Sequence, residues 1–238
     1  MYYRYEDVLN EAGEVVGSKE VDDVNRGWFV GKDISAIWDH EFIGIWQEDE
    51  AEEAAKYGQQ PGDAKVRDVN GDYKITQEDK VFLGQETPKF RWSFRNEFTL
   101  FRNWDISLNL YSQMGHKQST TEYLNFFDNL GDYSNTYKRE YWTPENKSNS
   151  YARLKSTRPS NINPKKVINK GFIRLENISV SYRVPQQFAR KLMAKEISIY
   201  GTVRNVAVWA FDKEWDYWDP ETKGLLPRTF TFGASITF

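Results

Sequence analysis

The last segment of the chain, from Arg228 to Phe238, alternates between apolar and small polar side chains. Its apolar positions are Phe230, Phe232, Ala234, Ile236 and Phe238. An alternation with a period of two predicts a β-strand with one oily face and one polar face. A strand of this length matches the roughly 9 to 11 tilted residues that cross the hydrocarbon of an outer membrane. We therefore expect either the closing strand of an outer-membrane β-barrel or the last strand of a soluble sandwich.

Two earlier segments, Phe90–Leu100 and Trp104–Met114, show the same alternation and are separated by the short turn Phe101–Asn103. Their even-numbered positions are mostly apolar and their odd-numbered positions are polar or charged, which predicts a hairpin with two different faces. Strands of this length exceed the roughly 5 or 6 residues usual in globular sheets, which favours a barrel. We expect the even-numbered side chains to face lipid and the odd-numbered ones to line the lumen.

Further strands are predicted at Gly171–Val184 and Ile197–Val208, with a short helical connection at Pro185–Glu196 between them. The apolar parity changes within the first of these strands, which predicts a β-bulge near Glu176. Counting the strands back from the C-terminus places every short connection on one side of the sheet and every long segment on the other. Outer-membrane barrels keep short turns in the periplasm and long loops outside the cell, whereas a sandwich has no reason for this segregation.

These patterns predict an all-β fold class, an antiparallel up-and-down transmembrane β-barrel segment made of C-terminal strands with long extracellular loops. The expected domains are residues 1–89, an extracellular loop region with a calcium-type loop, and residues 90–238, the C-terminal barrel strands and loops. Within the first domain, the acidic run Glu48–Lys56 predicts one exposed helix. Residues 115–170 show no strand alternation, so a long functional loop is expected there.

The sharpest local motif begins at Asp68 and ends at Asp79. Its oxygen-bearing groups have the spacing of the calcium loop in EF-hand-type proteins, in which side chains and one backbone carbonyl surround the ion. The predicted ligands are Asp68, Asn70, Asp72, the carbonyl of Lys74, Thr76 and Asp79. Two positions depart from the pattern, because Tyr73 replaces the usual glycine and Asp79 replaces the longer glutamate. Calcium binding and an acidic turn held by its own hydrogen bonds both remain open.

Composition argues against several function classes. The chain has no cysteine and a net charge of -3, so thiol catalysis, disulfides and a basic nucleic-acid surface are not expected. No apolar run reaches the roughly 18 residues of a transmembrane helix. The two histidines, His40 and His116, lie far apart in the sequence, and no nucleophile motif or recognisable carboxylate pair accompanies them. We therefore do not expect an enzyme.

A series of ordered motifs is more specific. They are Gly44–Gln47, Pro61–Asp63, Asp68–Asp72, Asp79, Leu83–Gly84, Tyr141–Asn146, Ile173–Ile178, Arg204–Asn205 and Pro227–Gly233. In this order, over most of residues 40–238, they resemble the C-terminal part of SusC/RagA-type TonB-linked outer-membrane proteins of Bacteroidetes. Members of that family are far longer and also contain a plug domain, which is expected to lie outside this chain.

The resemblance implies import of oligosaccharides or peptides through the barrel, with a SusD-like lipoprotein acting as a cover over the extracellular loops. It also implies a location in the cell outer membrane, insertion by the outer-membrane assembly machinery, and energy from TonB through an N-terminal part that this chain lacks. The candidate contacts with substrate or lipoprotein are aromatic loop residues: Tyr133, Trp142, Trp215, Tyr217 and Trp218. For each of them, packing between loops or anchoring at the membrane interface is the alternative.

The terminal strand is also a candidate assembly signal, because the assembly machinery in general reads the final strand of a barrel. Its predicted aromatic elements are Phe230, Phe232 and Phe238. The N-terminus has neither a basic nor an apolar export region, so Met1 is expected to begin a fragment of a longer protein. The alternative to a transporter segment is a soluble, calcium-stabilised carbohydrate-binding β domain with exposed tryptophans.

Overall fold

The structure is a computed structural model that describes residues 4–120, 140–162, 164–215 and 218–238. The chain forms two compact units. The first unit comprises Met1–Thr87 and Lys117–Ile168, and the second comprises Pro88–His116 and Asn169–Phe238. Among the described residues, every helix is too short or too polar to span a lipid bilayer.

Most of the regular structure consists of β-strands. In chain order the strands are β1 (Arg4–Leu9), β2 (Val15–Val21), β3 (Ala36–His40), β4 (Phe42–Ile45), β5 (Ala64–Val66), β6 (Lys80–Gln85), β7 (Phe90–Leu100), β8 (Trp104–Met114), β9 (Lys117–Thr120), β10 (Lys166–Asn169), β11 (Phe172–Arg183), β12 (Glu196–Ala210) and β13 (Thr229–Thr237). The α-helices are α1 (Ala51–Lys56) and α2 (Gln186–Ala189). Short 3₁₀ turns lie at Glu48–Glu50, Gln77–Asp79, Pro159–Asn161, Arg190–Leu192 and Lys213–Trp215.

The second unit is built on one five-stranded sheet with the order β13-β12-β11-β8-β7. Each strand pairs antiparallel with the strand before and after it in this series, so the topology is up-and-down. The strands have 11, 11, 12, 15 and 9 residues in chain order, close to the length that crosses a bilayer. The antiparallel up-and-down strands predicted from the sequence are therefore confirmed.

Strand register keeps the two faces of this sheet chemically distinct. On one face, Leu108 of β8 lies opposite Ile178 of β11, which in turn lies opposite Val203 of β12. Val203 then pairs with Phe230 of β13, so the apolar row continues to the last strand. On the opposite face, the equivalent cross-strand row consists of hydroxyl and carboxyl side chains: Glu97, Ser107, Ser179, Thr202 and Thr231.

A β-bulge in β11 makes this separation possible. The pairing of β11 with β8 shifts between Leu175 and Asn177, with Glu176 as the extra residue of β11. The pairing with β12 shifts at the same place, but there Asn205 and Val206 of β12 face the single residue Glu176, so the extra residue belongs to β12. Before the bulge Ile173 and Leu175 of the apolar face have odd numbers, and after it Ile178, Val180 and Tyr182 have even numbers. The extra residue returns both halves to the same face, as a bulge does in any strand with a period of two. The bulge predicted near Glu176 is confirmed.

The connections at one end of the sheet are short. Phe101 and Arg102 have positive φ angles of 51° and 65°, the left-handed geometry of a tight hairpin turn. The connection between β11 and β12 contains α2 followed by the 3₁₀ turn Arg190–Leu192. Because the strands alternate in direction, the long segments that follow β8 and β12 both leave from the other end of the sheet.

The last two strands are locked together by two glycine–aromatic pairs. Tyr200 lies opposite Gly233, and the adjacent residue Gly201 lies opposite Phe232. A Cβ added at Gly233 would clash with the ring and hydroxyl of Tyr200, and one added at Gly201 would lie 3.3 Å from the Phe232 ring. Each aromatic ring therefore covers the backbone of a glycine on the neighbouring strand, one pair on each face of the sheet.

The first unit consists of two-stranded ladders joined by loops. β1 pairs with β2, β3 with β6, β4 with β5, and β9 with β10. The predicted helix at Glu48–Lys56 is present as the turn Glu48–Glu50 followed by α1, in which Glu52 and Lys56 are exposed and Glu53 is half-buried. Residues 115–170 were predicted to lack strands, which is wrong at both ends of the segment, where β9 and β10 form. Lys117–Thr120 and Lys166–Asn169 are too short to show a sequence period, and each is stabilised by its distant partner.

We expect substitution on the two faces of β8 to have opposite outcomes. Leu108→Arg places a cation on the apolar face, where it costs about 2 to 4 kcal/mol near the middle of a bilayer. Ser107→Arg adds the same charge to the polar face, opposite Glu97, and should change stability by less than about 1 kcal/mol. The measurement is the unfolding free energy of the membrane-inserted protein. Equal effects of the two substitutions would contradict the assignment of the faces.

Candidate functional site

The apolar face of the five-stranded sheet is a broad exposed surface. Its large exposed side chains include Phe94, Phe98, Trp104, Ile199, Phe230, Phe232 and Ile236. Phe232 is 81% exposed, although it lies in the middle of β13. Soluble monomers rarely leave so large a contiguous apolar surface in water, so this face requires a cover of lipid or protein.

The polar face of the same sheet contains hydrogen-bonded and ion-paired groups. The hydroxyls of Ser179 and Thr202 are 2.7 Å apart across β11 and β12. Nearer the short turns, Thr99 Oγ1 donates to Asp105 Oδ1 over 2.8 Å, and the second oxygen of Asp105 pairs with Arg183 Nε at 3.1 Å. A depression of about 500 Å³ lies on this face, between β7, β8, β11 and β12. A concave polar surface is the arrangement expected for the inside of a barrel.

A turn of the last long connection is fixed at the other end of the polar face. Asp219 accepts hydrogen bonds from the backbone N–H groups of Glu221 and Thr222, and its own N–H donates to the carbonyl of Gly224. The buried Arg174 of β11, 2% exposed, donates from Nη2 to Asp219 Oδ2 at 2.6 Å. The turn 219–224 is therefore held to the sheet by an ion pair that water does not reach.

Glu221 extends this network to β8. Its Oε2 accepts a hydrogen bond of 2.5 Å from the Tyr111 hydroxyl, and its Oε1 accepts one of 3.0 Å from the Gln113 amide. Arg174 also lies 3.4 Å from Glu221, with its guanidinium 5.3 Å from the centre of the buried Phe172 ring. These contacts hold two carboxylates of the turn against the polar face, at the end of the sheet where the long segments emerge.

Those of the predicted aromatic contact residues that the structure describes are buried or half-buried. Trp142 is 7% exposed, and its Nε1 donates to the side-chain oxygen of Gln47. Trp215 is 9% exposed and donates to the carbonyl of Asn169. Trp218 is half-buried. Tyr133 and Tyr217 lie outside the described residues. For Trp142 and Trp215 the structure favours packing within a unit, the alternative that the sequence left open.

Trp142 belongs to the small core of the first unit. Its ring packs with Ile45, Ala64 and Ala152, and Phe42 lies against this cluster. The motif Pro61–Asp63 borders the same core, and Gly62 has a φ of 89°. A Cβ at Gly62 would lie 2.5 Å from Trp142 Cε3, so glycine is required there by both backbone geometry and space.

The fully buried carboxylate of Asp63 organises the loops around this core. Its Oδ1 accepts hydrogen bonds of 2.8 Å from Arg153 Nε and from the backbone N–H of Thr157, and its Oδ2 accepts one from the N–H of Gln60. Sequence reasoning missed the pair Asp63–Arg153. The Pro-Gly-Asp signal marks the acid, but no local pattern marks its basic partner, which is distant in the sequence. The pair Arg174–Asp219 was missed for the same reason.

The loop Asp68–Asp79 is held by hydrogen bonds from its backbone N–H groups to its own side chains, as in the acidic turn that the sequence left open. Asp68 accepts hydrogen bonds from the N–H groups of Gly71 and Tyr73, Asn70 accepts one from Asp72, and Asp72 accepts one from Lys74. Tyr73 has a φ of 62°, the left-handed geometry that glycine normally provides at this position. Burial alone would raise the pKa of Asp68, but the N–H donors, with that of Tyr73 foremost, lower it below its usual value.

Asp79 closes the other end of the loop. It is fully buried, and its two oxygens accept hydrogen bonds from the N–H groups of Val69 and Thr76. The hydroxyl of Thr76 also caps the turn Gln77–Asp79 by accepting from the N–H of Glu78. Within the described ranges, no three acidic or histidine side chains are gathered closely enough to hold a metal ion. Calcium binding therefore requires the amide and carbonyl oxygens of the loop as well as its carboxylates, and it stays a prediction.

The assembly-signal residues lie on and next to β13. Phe230 and Phe232 project from the apolar face, and Phe238 follows the strand and is exposed. The end of the strand is tied to the short connection before β12, because the N–H of Lys195 donates to the carbonyl of Thr237. The Nζ of Lys195 donates to the terminal carbonyl oxygen of Phe238 over 2.9 Å.

Sequence comparison finds relatives among TonB-dependent receptors. The chain is 25% identical over 234 residues to TonB-dependent receptor P26 of Formosa agariphila, which covers 90% of this chain and 24% of the relative. It is 23% identical over 227 residues to TonB-dependent receptor P3 of the same organism, covering 87% of this chain and 22% of the relative. The chain thus spans about a quarter of the length of these curated relatives. No protein-family model matches it.

Structural comparison agrees on the fold. The RagAB peptide importer in its open-open state matches 89% of this chain and 23% of its own, with a TM-score of 0.59 and 15% identity. A second structure, of the RagAB peptide transporter, gives a TM-score of 0.57 over 85% of this chain and 22% of its own, also at 15% identity. The predicted resemblance to SusC/RagA-type TonB-linked proteins is confirmed. The relatives are receptors and a transporter rather than enzymes, and the location predicted for this chain, the cell outer membrane, is confirmed.

We expect Arg174 to contribute far more to stability than the exposed Arg183. Arg174→Ala leaves the carboxylate of Asp219 buried without a counter-charge, which should lower the unfolding free energy by about 3 to 5 kcal/mol. Arg183→Ala removes an exposed pair with Asp105 and should cost less than about 1 kcal/mol. Limited proteolysis of the connection that follows β12 should accelerate only in Arg174→Ala. Similar stability of the two variants would show that the turn 219–224 is not held by this pair.

Proposed function

We propose that this chain forms the C-terminal strands of a TonB-dependent outer-membrane receptor that transports solutes into the periplasm. The observation that carries this proposal is the two-faced, up-and-down sheet, whose strands have the length of membrane-crossing strands and whose long connections emerge at one end. The exposed apolar face fits a lipid environment, and the concave polar face fits a lumen. Similarity to TonB-dependent receptors over 90% of the chain supports the same assignment.

We further propose that the imported solutes are oligosaccharides or peptides and that a SusD-like lipoprotein covers the extracellular loops. The fold shared with the RagAB peptide importer supports a solute of the size of a peptide or an oligosaccharide. TonB would act through a part of the protein outside this chain. Loss of uptake of labelled oligosaccharides or peptides on gene deletion, with recovery when the gene is returned, tests the solute class. Unchanged uptake of both would contradict it.

Sided labelling tests the membrane topology directly. This chain contains no cysteine, so in a complete receptor whose other segments are also made free of cysteine, single substitutions such as Leu225→Cys and Gln187→Cys can be labelled without background. Both positions are exposed, and they lie in connections at opposite ends of the sheet. On intact cells that express the complete receptor, a membrane-impermeant maleimide should label Leu225→Cys. It should label Gln187→Cys only after the outer membrane is permeabilised. Equal labelling of both on intact cells would exclude this topology.

We also propose that the loop Asp68–Asp79 binds a structural Ca²⁺ ion that rigidifies an extracellular loop. The predicted ligand atoms are all hard oxygens, as calcium requires. The left-handed backbone at Tyr73 matches the turn of an EF-hand-type loop. The ion would offset the repulsion between the carboxylates in this turn. The ligands would be Asp68, Asn70, Asp72, the carbonyl of Lys74, Thr76 and Asp79.

A matched pair of substitutions tests the calcium proposal. Asp72→Asn removes one ligand charge but keeps an oxygen that accepts from the N–H of Lys74. Glu78→Gln removes the same charge from a neighbouring position that is not a predicted ligand. In equilibrium dialysis, Asp72→Asn should weaken calcium binding about tenfold or more, because affinity follows the number of ligand charges. The Glu78→Gln variant should bind nearly as the unmodified chain does. An unmodified chain that binds no calcium would end the proposal.

The aromatic residues of the last strand are proposed as the signal for barrel assembly. Phe238 makes few contacts, since it is exposed and is held through its backbone by Lys195. If Phe238 is a signal, its deletion should strongly reduce the amount of receptor in the outer membrane. If it only anchors the strand, deletion should cost about 2 kcal/mol of burial at most and leave assembly normal. Lys195→Met, which removes the side-chain contact to the terminus, serves as the control for simple fraying of the strand.

A further inference from the structure

The connection between β11 and β12 is folded onto the apolar side of the sheet. Ala189 and Ala194 are buried against Ile197, and Val184 packs on the same cluster. Ile197 pairs with Ile236 and continues the apolar parity of β12, so its side chain lies on the apolar face. A turn that only reversed the chain would have no reason to lie over that face.

The outer surface of this connection is amphipathic. Phe188, Leu192 and Met193 are 50%, 64% and 87% exposed, although they are among its largest apolar side chains. Two cations, Arg190 and Lys191, are exposed beside them, and Lys191 Nζ lies 5.8 Å from the centre of the Phe188 ring. Apolar side chains bordered by basic ones form the surface that binds at the boundary between acyl chains and anionic headgroups.

We propose that residues 185–195 form an interfacial anchor that lies in the headgroup region of the inner leaflet of the outer membrane. Phe188, Leu192 and Met193 enter the edge of the acyl chains, while Arg190 and Lys191 bind lipid phosphates. The continuity with the apolar face of the sheet selects lipid as the occupant, because the same bilayer that covers Ile199 reaches the connection beside it. This inference rests on the proposed membrane topology.

The anchor also has a mechanical consequence for the end of the chain. Lys195, at the end of the connection, bonds both Thr237 and Phe238 at the end of β13. Fixing the connection in the interface therefore fixes the depth of the last strand. The hydrogen bonds between β12 and β13 then transmit this depth to the rest of the sheet.

Fluorescence quenching in liposomes tests the proposal. The complete receptor, with a single fluorophore at Leu192→Cys, Ile199→Cys or Ser198→Cys, is reconstituted in phosphatidylethanolamine and phosphatidylglycerol. The lipids carry a nitroxide either at the headgroup or in the middle of the acyl chain. The Leu192 label should be quenched at least twofold more by the headgroup nitroxide than by aqueous iodide. The Ile199 label should be quenched by the acyl nitroxide, and the Ser198 label, on the polar face, by neither nitroxide.

The labels at Ile199 and Ser198 serve as references for lipid contact and for the polar face. They distinguish failure of the anchor proposal from failure of the proposed membrane topology. If the Ile199 label is not quenched by lipid, the proposed topology itself is wrong. If it is quenched but the Leu192 label responds only to iodide, the connection lies in water and the anchor is refuted. A periplasmic protein as the true occupant would give this second result, because the liposomes contain no such partner. Replacing Arg190 and Lys191 by glutamine should reduce headgroup quenching of the Leu192 label by about twofold, and no reduction would overturn the role of the two cations.

Discussion

The constraint on which the structure of the second unit depends is that every strand must keep its apolar side chains on the same face. In a sheet with a period of two, a shift of one residue would move a whole strand's apolar set into the lumen. Four antiparallel ladders have to keep the same faces aligned, and the bulge at Glu176 aligns both halves of β11 with β8. A lipid-facing sheet makes this requirement strict, since hydrocarbon offers no partner for a misplaced polar group.

The closing strands show how register is specified where side chains are small. β13 carries Gly233, and β12 carries Gly201, so these positions contribute no packing of their own. Tyr200 and Phe232 cover them from the neighbouring strand, on opposite faces. A slip of one residue would expose both glycines and force the aromatic rings against other side chains. The last strand is thus fixed by steric fit as well as by hydrogen bonds.

Sequence reasoning was most accurate where structure follows local periodicity. The bounds of β7 and β8, the turn at Phe101–Asn103 and the bulge were predicted because each is recorded in the alternation of neighbouring residues. The folding of residues 117–168 into the first unit was not predicted, since Trp142 and Arg153 find their partners roughly 90 residues away. The anchoring of Asp219 and Glu221 was missed for the same physical reason, because an ion pair leaves no period in the sequence.

The motifs that carry the family resemblance prove to be scaffold in the first unit. Gly62 and Asp63 are required by the ring of Trp142 and by the charge of Arg153, and Gly44 has no room for a side chain beside Asn149. Residues fixed in this way cannot also vary with the solute. Under the proposed function, recognition of the solute is left to side chains that make no such contact, such as exposed positions on the loops. Under the proposed function, a change of solute therefore requires no change in these motifs.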